Sequence, residues 1–385
     1  VLFLMKKFLY VFEFSDDPKD LLPSDTLWNA VRDKISEKLL SEKKVQFKSV
    51  HGVFRTYRGK GFSTKRVVNF IWMHLFSVFE MIAFRPDFVF VRTTPPLIQI
   101  TYLILGKVFR AKVYVWLMDY HPVFGLRTSA EKSFKHKIWA FFDKLDRFAL
   151  KYAEAVVCLD YAMESLVRER CKNARTFVCP TFSGGDSEFL DLSKICGNVA
   201  SLSLLYSGNL GKAHKTQVLE NLMRLLSKKT RVVLSYCGNS EDASSLFEAV
   251  CKSAGAEFKR FPRVENYALL GRFYKENGFD YGIVLMDDRL AGVLSPSKFS
   301  GYLSFGLPIL NIGPSGTNAD YACSNFKAGV SFNEVSEIYG VAELLLNAET
   351  QPRLAKNARK TLEYFGEGAV DKLASFFVEE IGKSS

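Results

Sequence analysis

Apolar, strand-length runs alternate with amphipathic, helix-length segments along most of the chain. The runs that predict β-strands lie at residues 7–14, 45–50, 87–92, 112–118, 155–159, 176–179, 202–207, 231–237, 257–261, 281–286 and 308–312. Segments with the helical period separate them, such as residues 129–151 and 217–227. This alternation predicts parallel sheets that helices cover on both faces, which is the doubly wound α/β class.

The alternation occurs twice, on either side of a polar, glycine-containing stretch near residues 183–200. At 385 residues the chain is long enough for two domains. We therefore predict a Rossmann-like domain at 1–185, a linker at 186–200 and a second Rossmann-like domain at 201–385, whose last helix is free to cross back to the first. Doubly wound sheets bind ligands at the carboxyl ends of their strands, so the two domains are expected to face each other across a ligand-binding cleft.

The net charge of +11 is confined to the first predicted domain. Residues 1–185 contain 30 Lys and Arg against 18 Asp and Glu, whereas residues 186–385 contain 22 against 23. A basic half indicates an acidic partner, such as phosphates, anionic lipid or nucleic acid. The seven cysteines form no C-x-x-C pair, which argues against a disulfide framework or a zinc site and favours a reducing compartment.

The apolar stretches are interpreted as parts of the fold rather than as membrane or targeting segments. The most apolar helix-length stretch, Val68–Phe84, is interrupted by His74 and Glu80 and falls short of about 18 uninterrupted apolar residues. The N-terminal apolar run reads better as a first strand than as a signal peptide. We therefore expect a soluble or peripheral protein.

A glycine-containing turn follows the strand at 202–207 and leads into a helix. Glycines at such a turn allow backbone N–H groups to approach an anion, and neighbouring lysines add positive charge. The candidate donor-binding residues of this turn are Gly208, Asn209, Gly211, Lys212 and Lys215. An ordinary tight turn between a strand and a helix explains the same residues equally well.

A second candidate anion site lies in residues 292–310. Ser295 suits a helix N-cap, Pro296 the first helical turn and Gly306 the helix end, so a short helix is predicted to begin at Pro296. Lys298 would then lie in the first turn, where a bound diphosphate gains from its charge and from the free N–H groups. Ser295 and Ser297 are the accompanying donor-binding candidates. The alternative is a well-capped helix with a surface lysine.

Together these two segments resemble a known family. Y-S-G-N-L-G-K-A-H at 206–214 and S-P-S-K-F-S-G-Y-L-S-F-G-L-P-I-L at 295–310 are similar to the carboxyl half of family 4-like retaining glycosyltransferases with the GT-B fold. Within that family the resemblance is strongest to the branch that builds bacterial exopolysaccharide and O-antigen chains. V-R-T-T-P-P at 91–96 and M-D-Y-H-P at 118–122 resemble the strand-end loops of that branch.

The resemblance implies sugar transfer with retention of configuration from a nucleoside-diphosphate sugar, with UDP as the expected carrier, and no metal or cofactor. It places Gly238, Asn239 and Val264 near the donor and Thr94 near the acceptor. We interpret Asp287 and Asp288 as solvated loop acids rather than metal ligands.

The chain departs from the family pattern at three sites. Val293 and Gly301 occupy the positions where the wider family carries two glutamates, one of which contacts the donor ribose. Asn209 stands where many relatives have arginine, and the glycine-rich loop after the first strand is absent. These departures imply that the nucleotide is held differently.

The candidates for acceptor chemistry and for membrane contact lie in the basic half. Asp119 and His121 follow a predicted strand, and either is suited to orient an acceptor hydroxyl or to accept its proton. The segment 55–66 combines cations with aromatic residues and is the favoured site of phosphate or lipid contact, through Arg55, Arg58, Lys60, Lys65 and Arg66. The basic amphipathic segment 129–151 is interpreted more readily as a helix that covers the sheet.

We therefore predict a cytoplasmic glycosyltransferase, peripheral on the inner face of the plasma membrane, that acts on a lipid-linked or saccharide acceptor in cell-surface polysaccharide synthesis. One alternative is a sugar-nucleotide epimerase, which needs a pair of acid and base residues that the sequence does not reveal. Another is a degenerate transferase that only binds. Nucleic acid is disfavoured because no recognised binding motif is present.

Overall fold

The computed structural model of the chain describes residues 5–12, 23–43, 45–50, 64–180, 200–208, 215–264 and 267–383. By contact, the chain forms two compact units. The first contains Val1–Pro180, Gly292–Ser295 and Ala369–Ser385, and the second contains Thr181–Ala291 and Pro296–Gly368. Residues 292–295, which the sequence assigned to the second domain, therefore group with the first unit.

The first unit contains a parallel sheet of six strands. They are β1 (Lys7–Val11), β2 (Gln46–Val50), β3 (Phe88–Arg92), β4 (Lys112–Leu117), β5 (Ala155–Cys158) and β6 (Thr176–Val178), in the spatial order β2-β1-β3-β4-β5-β6. The helices are α1 (Pro23–Lys43), α2 (Thr64–Phe84), α3 (Ile98–Phe109), α4 (His121–Thr128), α5 (Phe134–Leu150) and α6 (Tyr161–Arg170). The order reverses between β1 and β3, as in doubly wound sheets.

The second unit repeats this plan. Its strands are β7 (Ser201–Ser207), β8 (Arg231–Cys237), β9 (Glu257–Phe261), β10 (Tyr281–Leu285), β11 (Ile309–Ile312) and β12 (Gly329–Phe332), in the order β12-β11-β10-β7-β8-β9. The helices are α7 (Thr216–Leu226), α8 (Glu241–Ala254), α9 (Tyr267–Asn277), α10 (Lys298–Ser304), α11 (Asn318–Phe326), α12 (Ile338–Leu346), α13 (Thr350–Lys360) and α14 (Leu362–Phe365). The order reverses between β7 and β10. The predicted class, two doubly wound parallel-sheet domains, is confirmed.

The last helix, α15 (Glu367–Gly382), packs on the first sheet. The Phe377 ring lies 4.6 Å from that of Phe90 and 5.3 Å from that of Tyr114, between ring centroids. Glu380, which is buried, accepts hydrogen bonds from Arg175 at 2.7 and 2.8 Å and from the Tyr114 hydroxyl at 3.1 Å. These bonds, those with Arg175 first, lower the pKa of Glu380 to about 2. The carboxylate thus fixes the last helix to strands of the first unit.

Helix α2 is more apolar than expected from the interruptions at His74 and Glu80. By length and composition its window Val67–Phe84 qualifies as a membrane span, with a mean hydropathy of 1.7. Core helices of soluble proteins pass the same test, but only 33% of this window is buried. The helix therefore presents most of its apolar surface to the outside of the unit.

Candidate functional site

In the second unit the sheet opens where its strand order reverses. Strands β7 and β10 are paired only at Leu204–Tyr281 and Leu205–Gly282. Beyond these pairs the Tyr302 hydroxyl lies between the strands, where it accepts a hydrogen bond from the Ser207 N–H at 2.9 Å and lies 3.3 Å from the Ile283 carbonyl oxygen. A Cβ atom on Gly282 would lie 2.4 Å from the Tyr302 ring, so a glycine is required there. The opening is the place where doubly wound sheets bind ligands.

Lys298 directs its ammonium group into the protein at this opening. Its Nζ atom lies 3.5 Å from the centroid of the Tyr206 ring on β7. The atom is buried and has no hydrogen-bond partner among the described residues, although the residue as a whole is only half-buried. Burial lowers the pKa of Lys298 from 10.5 to about 7. An ammonium in this position is stabilised by the aromatic face, but no described residue supplies the counter-ion that a buried charge requires.

The helix that carries Lys298 differs at its start from the prediction. It begins at Lys298 rather than at Pro296, and Ser297 precedes it without a capping side-chain bond. Ser295 caps no helix, because it belongs to the first unit and its hydroxyl donates to the Asp160 carboxylate at 3.2 Å. Asp160 is itself the N-cap of α6. The helix start predicted at Pro296 is therefore wrong. What this segment offers an anion is the charge of Lys298, and not a helix dipole at Pro296.

The predicted helix end is confirmed. Gly306 follows α10 with φ of +75°, a conformation that favours glycine. The Gly306 N–H donates to the Leu303 carbonyl at 2.9 Å, and the Leu307 N–H donates to the Tyr302 carbonyl at 2.9 Å. This is the Schellman pattern of a helix C-terminus.

The two positions where the wider family carries glutamates have different surroundings. The Val293 carbonyl, in the first unit, accepts a hydrogen bond from the Tyr120 N–H at 2.9 Å. Gly301 is in the middle of α10, and no described atom lies within 4 Å of the Cβ that a larger residue would have there. The space of the second glutamate is thus open, one helical turn from Lys298.

The glycine turn after β7 is described only in part. Gly208 has φ of +98° and its N–H donates to the Cys237 carbonyl at 2.9 Å. The candidates Asn209, Gly211 and Lys212 lie outside the described residues. Lys215 is described, and its Nζ atom contacts the Asp288 carboxylate at 2.6 Å and the Asn333 Oδ1 atom at 2.7 Å. Its charge is therefore already paired.

The adjacent acids lie in a loop and are also paired with cations. Asp288, whose side chain is 52% exposed, pairs with Lys215, and Asp287 accepts hydrogen bonds from Arg289 at 2.9 and 3.1 Å. These ion pairs add to the solvated loop acids that the sequence predicts. Among the described residues, no group of three His, Cys, Asp or Glu side chains is placed to hold a metal ion.

The loops after β8 and β9 contact each other at the same edge of the second sheet. The Gly238 N–H donates to the Phe261 carbonyl at 3.1 Å, and the Asn239 side chain accepts from the Arg263 N–H at 3.1 Å. Val264 is half-buried and packs against the core. The structure thus brings Gly208, Gly238, Asn239 and Val264 to one edge of the sheet, because parallel strands end together.

The first unit brings its own candidates together at the ends of β3 and β4. The Thr93 hydroxyl accepts a hydrogen bond from the Met118 N–H at 2.9 Å and so joins the two loops. The adjacent Thr94 hydroxyl is buried and has no partner among the described residues. Asp119 and His121 follow β4, and the His121 N–H donates to the Asp119 carbonyl at 2.9 Å.

The two titratable candidates have shifted pKa values. Asp119 is an exposed residue, yet the protein packed around its carboxyl desolvates the charged form and raises its pKa, an effect that His121 partly offsets. Burial lowers the pKa of His121, and Asp119 partly offsets this. A carboxylate with a raised pKa is a better proton acceptor, and a neutral imidazole is also a base. Both roles therefore stay open.

Tyr120, between these candidates, fixes the loop, and no sequence pattern indicated this role. Its hydroxyl accepts a hydrogen bond from the Arg170 Nε atom at 3.0 Å, and the guanidinium lies 5.0 Å from the ring centroid. Arg170 also pairs with the buried Asp143. The side chain of Tyr120 points inward and anchors the loop. The side chains of Asp119 and His121, on either side of it, therefore do not have to make that anchoring contact. Tyr206 and Tyr302 were likewise missed, because nothing local distinguishes them from core residues.

The candidates for membrane contact are the least described. Arg55, Arg58 and Lys60 lie outside the described residues. Lys65 and Arg66 lie in the first turn of α2, and their side chains are not described.

The six described cysteines are free thiols.

Comparison with known proteins bears on the fold. No protein-family model matches the sequence, and no curated protein matches it. The structure is similar to sucrose-phosphate synthase from Thermosynechococcus elongatus, with a TM-score of 0.67 and 10% identity over 99% of this chain and 100% of that one. WaaG, a glycosyltransferase involved in lipopolysaccharide biosynthesis, has a TM-score of 0.59 and 11% identity over 97% of this chain and 99% of its own. HepE from Anabaena, solved in complex with UDP, has a TM-score of 0.58 and 12% identity over 98% of this chain and 100% of its own.

These similarities extend over nearly the whole length of each chain, so they include both units. At such low identity they establish a shared fold alone. The chain has the GT-B fold.

Proposed function

We propose that the chain is a glycosyltransferase that moves a sugar from a nucleoside-diphosphate sugar to a lipid-linked or saccharide acceptor. The observation that carries the proposal is the buried ammonium of Lys298, which has no counter-ion among the described residues and lies at the strand-order reversal of a GT-B sheet. In a sugar transfer of this kind the leaving nucleoside diphosphate gains negative charge as the glycosidic bond breaks. A positive group already fixed in a desolvated place stabilises that charge without reorganisation.

The surrounding residues suit the rest of the donor. Gly208 has an open, positive-φ turn, which allows a phosphate to approach the backbone. The edge formed by Gly238, Asn239 and Val264 has backbone groups suited to the nucleobase. The open space at Gly301 accommodates ribose without the glutamate that relatives use. UDP as the carrier is supported by the shared fold with HepE, which was solved with UDP bound.

The acceptor is assigned to the first unit. Asp119 or His121 accepts the proton of the acceptor hydroxyl as the new glycosidic bond forms, and the unpartnered Thr94 hydroxyl is available to orient that acceptor. The proposal further includes retention of the sugar's anomeric configuration and a reaction that needs no metal ion. It also includes a role in cell-surface polysaccharide synthesis at the inner face of the plasma membrane. These finer points rest on the sequence resemblance.

A donor panel tests the proposal on the full chain. UDP- and other nucleoside-diphosphate sugars are incubated with lipid-linked and free saccharide acceptors, and both the released nucleoside diphosphate and the glycosylated product are measured. We expect release that depends on acceptor. Interconversion of sugar nucleotides without release would identify an epimerase, and binding without turnover across the panel would identify a degenerate transferase.

A further inference from the structure

Helix α2 departs from the usual burial pattern of a surface helix. Beside the apolar Met73, Met81 and Phe84, its buried side contains the polar residues Asn69, Ser77 and Glu80, and Glu80 is only 2% exposed. The Glu80 carboxylate is paired with Lys48 at 2.5 Å. Its outward side is apolar and aromatic, with exposed residues Val68, Phe70, Ile71, Trp72, Leu75, Val78, Phe79 and Ile82. A helix that faced water would be oriented the other way.

Two neighbouring helices continue this surface. His74 of α2 is hydrogen-bonded to Thr101 of α3 at 2.6 Å, and Gln99 of α3 donates to Asp146 of α5 at 3.0 Å, so the three helices form one layer. Exposed apolar residues on the other two helices are Ile104, Val108, Phe109, Phe134, Ile138, Phe141 and Phe148. We call the exposed apolar residues of α2, α3 and α5 the apolar face. Its extent exceeds the scattered apolar exposure of ordinary surfaces.

The charges around the apolar face have one sign. Across the described side chains of the three helices, the carboxylates of Glu80, Asp143 and Asp146 are all buried. The exposed charges are all positive, at Lys107, Lys135, Lys137, Lys144 and Arg147. A second copy of the chain docked on this face would bring like charges together. Anionic lipid headgroups complement them, and the acyl region accepts the apolar side chains.

We propose that the apolar face docks on an anionic lipid bilayer, with α2 lying in the interfacial plane and its aromatic side chains at the level of the headgroups. Trp and Phe are suited to that depth, and the surrounding lysines reach the phosphates. The surface differs from the basic segment 55–66, since the apolar side chains supply most of the binding and the cations select the lipid. This docking proposal rests on the proposed function only for the purpose of docking, which is to bring the enzyme to a lipid-linked acceptor.

The test is co-sedimentation of the full chain with vesicles of phosphatidylcholine containing phosphatidylglycerol, and with phosphatidylcholine alone. The variant L75S/F79S replaces two side chains that are 66% and 59% exposed. We expect it to lose about tenfold or more of the affinity for anionic vesicles, because each buried CH₂ contributes to interfacial binding. The matched control L246S/L269S removes two exposed leucines of the second unit and should bind as the wild type does.

A second measurement locates the helix in the bilayer. Brominated lipids should quench the fluorescence of Trp72, and the W72F variant should lose that part of the quenching. Wild-type protein that ignores anionic vesicles, or equal losses in both double variants, would overturn the proposal. So would a wild-type dimer that L75S/F79S makes monomeric without altered vesicle binding, since the face would then join two copies. No sugar donor is used, so failure of the transferase activity would not affect the result.

Discussion

The two units share a sheet plan, but each breaks the usual burial rule in a different way: the first unit exposes apolar side chains, and the second buries a charged group. Nineteen of the large apolar residues that are exposed lie in the described part of the first unit, against five in that of the second. In the first unit α2 buries a carboxylate and exposes phenylalanines. The second unit exposes few large apolar residues, yet it buries the Nζ atom of Lys298.

Both inversions are unfavourable in water, and each therefore indicates a different partner. An exposed apolar side chain forgoes about 1.5–3 kcal/mol of burial energy, and a buried ammonium without a counter-ion is costlier still. Each arrangement is explained when its complement is present, which is an apolar medium for α2 and an anion for Lys298. The proposed function therefore divides the roles, with the lipid and the acceptor on the first unit and the anionic donor on the second.

The largest effect is expected at the acceptor side. Asp119→Asn and His121→Gln each remove one candidate base, and loss of the true base should lower turnover by roughly 10²–10⁴-fold. The affinity for nucleoside diphosphate should remain unchanged in both variants, because donor binding is assigned to the second unit. Steady-state kinetics and calorimetry separate the two quantities. The exposed Glu131→Gln is the matched control, and a weaker donor affinity in either variant would break the division of roles.

A smaller effect is expected at Lys298. Lys298→Ala should lower turnover by about 10–150-fold, which corresponds to a charged contact of about 1.5–3 kcal/mol that strengthens as the leaving group gains charge. Ground-state donor affinity should fall less. Lys298→Arg should rescue only in part, because a planar guanidinium does not replace a compact ammonium. Lys252→Ala, at an exposed position of α8, is the control, and thermal melting should show both folds intact.

The protonation of Lys298 gives this prediction a signature that a structural lysine would lack. Its pKa is near 7 in the folded protein and 10.5 otherwise, so the unfolded chain binds an extra proton between these values. Stability contributed at this position therefore rises with pH across that window. A diphosphate that binds the ammonium draws in a proton, so its affinity should fall by up to about tenfold per pH unit above pH 8, where the ligand is fully ionised. Calorimetry in buffers of different ionisation enthalpy measures the uptake. An equal pH slope in Lys298→Met would exclude Lys298 from the site.

Periodicity was sufficient for the fold. The predicted strands correspond to eleven of the twelve strands in the described residues. That the two glycine-containing segments mark the donor site stays a prediction. The missed strand, β12 (Gly329–Phe332), has four residues and pairs in parallel with β11. A strand that short has too few positions for a period to register, and its pairing partner is known only once β11 is placed.

The directions of individual side chains were not predictable. The helix at residue 298 begins later than its Ser-Pro signal indicates, because Ser295 is drawn to Asp160 of the first unit. Lys215 looked free and is paired with Asp288, seventy-odd residues away along the chain. The exposed apolar face of α2 was not predicted, because an apolar helix has the same sequence pattern whether its apolar side chains face the core or the outside. Such contacts join distant segments, and local sequence patterns do not encode them.

The smallest effect is expected from Gly301→Ala, which fills part of the open space one helical turn from Lys298 in the second unit. Glycine inside a helix costs about 0.5–1 kcal/mol relative to alanine, and a Cβ at Gly301 meets no described atom within 4 Å. Gly301→Ala should therefore raise the free energy of unfolding by about that amount. If donor ribose occupies the space that a glutamate fills in relatives, the same methyl group should weaken nucleoside-diphosphate affinity by roughly 3–10-fold, about 0.7–1.4 kcal/mol. Gly340→Ala in α12, where a Cβ also meets no described atom, is the matched control and should stabilise without affecting binding. Denaturant unfolding and calorimetry on both variants decide the matter, because a stabilised Gly301→Ala with unchanged affinity would place the nucleotide elsewhere along the edge of the sheet.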